Sequence, residues 1–295
     1  VFGEDHFKTA VAEASLAGLY RAQGRYADAE RLYVKALEVK RRVLPADHPD
    51  VLATMNNLGL LYRQEGKFDK AEALLTEALE IRRRVLGEEH QSTLTSVANL
   101  ASLYRGQRRY DDALNLTETG LEIERRVLGD DHPFTLGSIN NLGFLLMSMG
   151  RHSEAEPYLR EALKGRRRVL GDDHPHTLVS VHNLGRLLCD LGQLERAEAL
   201  GAEAVRGAEA KLAPTHWRRW VWLAGHARTL VAMKRFAEAE RELLEAHDGL
   251  ADSLGLEHQH TAETIKTLID LYDALGDLEK ANEWRAKLPG PLATP

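Results

Sequence analysis

A histidine stands at His6, His48, His90, His132, His174, His216 and His258, and every step between them is 42 residues. A repeat of that length means a stack of similar supersecondary pieces. Each is too small to bury its own apolar face and completes its core against its neighbours. Other positions keep the register: the alanine 23 residues after each histidine is always present, as Ala29, Ala71, Ala113, Ala155, Ala197, Ala239 and Ala281. Leu16, Leu58, Leu100, Leu142, Leu184 and Leu268 hold a further position, broken by His226. The residue after it is small in six repeats (Ala17, Gly59, Ala101, Gly143, Gly185, Ala227) and becomes Ile269 in the last. A small residue at a fixed helical position lets two backbones approach closely.

Within a repeat the spacing is helical. Leu52, Met55, Leu58, Leu61 and Tyr62 recur at steps of three and four, Gly66 interrupts, and Phe68, Ala71, Leu74, Leu75, Ala78 and Ile81 resume the pattern. This predicts helix, tight turn, helix. The turn glycine returns as Gly24, Gly150, Gly192 and Gly276, with Arg108 and Lys234 as exceptions that a helix end tolerates at some cost. Between repeats run segments such as Leu128-Gly129-Asp130-Asp131-His132-Pro133. There glycine stops one helix, acidic residues approach the positive end of the next, and proline suits its first turn.

These residues resemble the tetratricopeptide repeat, carried by Leu58-Gly59, Tyr62, Gly66, Phe68, Ala71 and Ala78. The usual repeat is about 34 residues, so this one is longer. The longer form is similar to the repeats of kinesin light chains, and equally to the arrays at the C-terminal end of STAND-type signalling NTPases. The resemblance covers residues 6–288. It implies an all-α, right-handed superhelical solenoid of about seven helix pairs, counted as one domain, whose concave groove binds a protein or peptide. Val1–Asp5 match the end of a preceding repeat, and 289–295 read as a C-terminal tail.

The net charge of −6 argues against generic binding to nucleic-acid phosphates. A lone cysteine excludes an internal disulfide framework, and neither a long apolar run nor a signal segment stands in the sequence, so a cytoplasmic chain is expected. Phosphate-loop, zinc-protease and nucleophile-elbow motifs are missing, so neither an enzyme nor a cofactor is expected. One histidine per repeat cannot share a metal with the next, since stacked helix pairs lie about 10 Å apart; these histidines read as caps before a helix. His174, His176 and His182 lack ligand spacing for a metal. Cys189 reads as a small hydrophobe.

Two ladders carry the functional expectation. Asn57, Asn99, Asn141 and Asn183 share one position of the first helix, with Asn56 and Asn140 beside two of them. In tetratricopeptide proteins the first helix lines the groove, and an amide there both donates and accepts, matching the backbone of an extended chain; the alternative is that these amides bond between neighbouring helices. Six residues further stand Arg21, Arg63 and Arg105, giving way to Met147 and Cys189, with Arg186 one turn earlier in the fifth repeat. Such a line suits carboxylates, or merely complements a helix C-terminus. By the resemblance, the partner is an extended, partly acidic segment with a bulky apolar anchor. The rival is a sensor array of a larger STAND-type NTPase. A second basic series, Arg41-Arg42, Arg83-Arg84, Arg125-Arg126 and Arg167-Arg168, reads as a solvated rim balancing the acidic loops. Trp217, Trp220 and Trp222 read as packing residues of a divergent sixth repeat, with a base- or peptide-stacking site as the alternative.

Overall fold

The computed structural model describes residues 6–288, and the expectations for 1–5 and 289–295 fall outside the described residues. The described chain is fourteen helices in seven sequential pairs, without a strand. The first helices of the pairs are α1 (Phe7–Ala22), α3 (Pro49–Gln64), α5 (Gln91–Gly106), α7 (Pro133–Ser148), α9 (Pro175–Asp190), α11 (Trp217–Ala232) and α13 (Gln259–Leu275). The second helices are α2 (Tyr26–Val43), α4 (Phe68–Leu86), α6 (Tyr110–Leu128), α8 (His152–Leu170), α10 (Leu194–Lys211), α12 (Phe236–Leu254) and α14 (Leu278–Lys287). The chain divides into two compact units, Val1–Met149 and Gly150–Pro295.

The periodic histidines begin these helices. Each of the seven is the N-cap of a first helix, and its Nδ1 accepts the backbone N–H two residues on, at 3.1–3.2 Å. The ring thus satisfies one of the donors that a helix start leaves without an intrahelical partner. At the other end of the first helix the turn needs a left-handed residue. Gly66 supplies it with φ of 73°, and at the two non-glycine exceptions Arg108 and Lys234 are held at φ 60°. Gly129, between repeats, sits at φ 86° and ψ 163°, a conformation that only glycine adopts readily.

Helix crossings are tight where the sequence places small residues. The seven repeated alanines are all buried, none more than 1% exposed. A Cβ on Gly59 would lie 2.8 Å from Leu75 Cγ, so the backbone of α3 rests directly on that side chain of α4. In the first unit Met55, Leu58, Leu61, Leu75, Leu79 and Leu103 fill the space above and below such crossings; in the second, Leu230, Leu243, Ile265, Leu268 and Leu271 do the same. Each fully buried aliphatic side chain contributes roughly 1.5–3 kcal/mol.

In each unit the first helices lie closer together than the second ones. In the first unit α1, α3, α5 and α7 touch in succession, and in the second α9, α11 and α13 do; within either unit no two second helices touch among the described residues. Two rows of rods at different spacings make a curved layer, and the first helices therefore form the inner face within each unit.

The arginine rim behaves as expected. Arg83, Arg125 and Arg167 reach forward to Glu88, Asp130 and Asp172 in the following loops, each at 3.1 Å. These exposed pairs contribute little individually. The tryptophans of the sixth repeat also pack: Trp222 is buried and stacked on His182, Trp217 stacks on His260, and Trp220 lies over Gly249, where a Cβ would collide with its ring.

Candidate peptide-binding face

The asparagines divide by position. Asn57 and Asn99 are half-buried and Asn141 is exposed, so these three amides of the first unit reach the surface of the inner helices α3, α5 and α7. Their neighbours Asn56 and Asn140, one residue earlier, are 7% and 4% exposed and sit inside the packing. One residue turns a helix by about 100°, which separates the two sets. In the second unit Asn183, on α9, is 8% exposed.

The arginines of the first unit form a continuous electrostatic feature. Burial, together with the positive charges of Arg105 and Arg21, lowers the Arg63 guanidinium to about 10. Arg63 donates from Nη1 to Ser102 Oγ on α5 at 3.0 Å, while its Nε is buried without a partner. The Arg105 guanidinium lies 4.7 Å from the centre of the Phe144 ring on α7. Each cation in such a line is less favourable for the presence of the next, and an anion placed along it relieves that cost. In the second unit Arg186 is lowered by burial and by Arg228, which donates to the Arg186 carbonyl at 3.2 Å and pairs with Asp190 at 3.1 Å.

Asn141 and Arg105 line the same recess, open to solvent, between α5, α6 and α7. Its walls are Val97, Ala98, Ala101, Leu116 and Leu145, and its polar groups include Ser102, Thr117, Glu124 and Ser138. The ladders of the first helix did not point to Glu124. The signal lies in the second helices, in the register Lys40, Arg82, Glu124, Arg166, where the third member inverts the sign of charge.

The cationic members of that register are buried and bonded across to the next first helix. Lys40 Nζ donates to Thr54 Oγ1 at 2.9 Å, Arg82 Nη1 to Ser96 Oγ at 2.5 Å, and Arg166 Nη1 to Ser180 Oγ at 2.8 Å. Glu124 is 2% exposed, lines the recess together with Ser138, and has its Oε2 buried without a partner. Burial raises this carboxyl to about 7, against the opposing effect of Ser138. Two smaller residues accompany the inversion: Thr117 stands in the register of Leu75 and Leu159, and Gly120 in that of Ala78 and Ala162.

The tetratricopeptide repeat family profile matches residues 8–84, 50–123 and 134–210, together more than half of the chain. Among solved structures, a kinesin light chain protein with nearly identical tetratricopeptide-like repeats from Podosopora anserina is 26% identical, with a TM-score of 0.56 over 70% of this chain and 99% of that one. The Rap conjugation gene regulator of plasmid pLS20, solved with the Phr* peptide, is 17% identical, with a TM-score of 0.76 over 96% of this chain and 72% of that one. A signal transduction ATPase with numerous domains from Pyrococcus horikoshii, which carries a tetratricopeptide repeat sensor, is 18% identical, with a TM-score of 0.60 over 95% of this chain and 41% of that one. The last two likenesses concern the fold alone. A comparison with curated proteins yields no match. No helix among the described residues is long and apolar enough to cross a membrane. With the matched repeats spanning most of its length, the chain belongs to the tetratricopeptide repeat family.

Proposed function

We propose that this chain is a non-enzymatic binding scaffold that holds an extended, partly acidic peptide segment along the inner helices of its first unit. The observation that carries this reading is the line Arg21, Arg63 and Arg105, in which each guanidinium adds to the burden on Arg63 and a ligand carboxylate would relieve it. The amides of Asn57, Asn99 and Asn141 would bond the ligand's backbone, and the apolar walls of the recess would take a bulky side chain. Peptide binding by the pLS20 regulator is a precedent on the same fold. Asn56, Asn140 and Asn183, buried in the packing, and Arg186 would then act by fixing the inner helices rather than by touching the ligand.

A peptide array probed with wild type and with the double variant Arg63→Glu, Arg105→Glu tests this reading. Wild type should favour acidic peptides and lose that preference as salt rises, and the double variant should reject them. The same acidic preference in both proteins would overturn it.

A further inference from the structure

We propose that the recess between α5, α6 and α7 is a subsite for a lysine side chain of the bound ligand, with the ammonium at Glu124 and Ser138 and the alkyl stem against Val97, Ala101, Leu116 and Leu145. The geometry of the neighbouring repeats supports a cation there. In the repeats on either side the protein's own Arg82 and Arg166 place a guanidinium beside the serine of this register. In the third repeat the side chain at that place is the carboxylate, its Oε2 is buried without a partner, and Thr117 and Gly120 leave room above it. A buried carboxylate oxygen with no bonding partner is costly, and a cationic donor satisfies it.

The charged groups facing the recess are Arg105 from α5 and Glu124 from α6, while α7 presents Ser138 and Asn141. Arg105 is engaged with the Phe144 ring. An ammonium on a four-carbon stem matches a polar end at the bottom of apolar walls. The inference rests on the groove reading for its source of lysine, and it adds a direction: acidic residues of the ligand lie along Arg21, Arg63 and Arg105, and the lysine follows at α6–α7.

The test separates the subsite from the groove. The Glu124 side-chain carboxyl is followed by carbon-13 NMR through a pH titration in n-butylammonium chloride, in sodium chloride of equal ionic strength, and with neutral n-butanol. Butylammonium should lower the Glu124 midpoint from about 7 by about one unit, a tenfold preference for the ionised carboxylate, and butanol should leave it unchanged. Thr117→Leu, which restores the residue type of Leu75 and Leu159, should remain folded and abolish the response. Glu124→Arg should fill the site with its own guanidinium, as Arg82 and Arg166 do, and its backbone amide signals around the recess should no longer respond to butylammonium. An unchanged midpoint, an equal response to butanol, or a full response in Thr117→Leu overturns the proposal. A second arm compares acidic peptides carrying lysine or norleucine. A butylammonium response without binding of any peptide keeps the subsite and sinks the groove, whereas peptide binding indifferent to that exchange keeps the groove and sinks the subsite.

Discussion

Arg166 donates from Nη1 to Ser180 Oγ at 2.8 Å and to the His176 carbonyl at 2.9 Å, tying the second helix α8 to the start of α9. The guanidinium is buried, which lowers it to about 10. Ser180→Ala should cost about 2 kcal/mol, the net value of one hydrogen bond to a charged donor. Arg166→Ala should cost about 3 kcal/mol or more, because packing along the stem is lost as well. Urea unfolding of the two single variants and the double variant measures both costs and their coupling, and additive costs would show that the bond carries no stability.

Glu124 makes the opposite contribution in the same register. Its carboxyl is raised from 4.5 to about 7, so the folded chain holds a proton that the unfolded chain has released. The folded state is therefore favoured by this group below about pH 4.5, and that advantage is lost as pH rises through about 7. The total change is about 3 kcal/mol. Glu124→Gln carries no such titration, so wild type should lose stability relative to the variant between those two pH values. Parallel stability curves for the two proteins would show that Glu124 ionises without cost.

His258 titrates with the other sign. Its ring accepts the His260 N–H at Nδ1, and burial together with His260 lowers it from 6.5 to about 4. The unfolded chain thus binds the proton first, and stability should rise with pH from about 4 to about 6.5. His258→Asn, which caps a helix without titrating there, should flatten that rise when melting is compared across the window.

Asn99 and Asn141 reach the surface of the inner helices, so changing both to alanine should weaken a bound peptide by about tenfold, or 1.4 kcal/mol, with little loss of melting temperature. Asn140→Ala, at a buried position, should do the reverse and lower melting first. Fluorescence-polarisation affinity and melting on the same preparations decide between contact and packing. A double variant that melts early and binds normally would assign the exposed amides to the stack.

The 42-residue period was sufficient for the helix pairs because every feature it repeats is local or nearly so. A histidine before a helix can only serve the N–H groups beside it, a left-handed turn selects glycine, and a helix crossing selects alanine. Even the exceptions were legible: Arg108 and Lys234 interrupt the glycine series and are forced into the left-handed region all the same, since the turn on either side is unchanged. The arginine rim was legible for the same reason, with Arg125 and Asp130 only five residues apart.

What the tertiary structure decided is which polar side chains lose their water. Asn140 and Asn141 are chemically alike and adjacent, yet packing buries the first and leaves the second exposed. The inversion at Glu124 is visible in the sequence, but its consequence needs neighbours distant in the chain. Val97 and Ala101 of α5 and Ser138 and Leu145 of α7 must close around the carboxyl before it is desolvated, and Thr117 and Gly120 must leave space beside it. Sequence periodicity fixes which residues share a register; only the packing of one helix pair against the next sets the dielectric around them, and with it the charge each one carries.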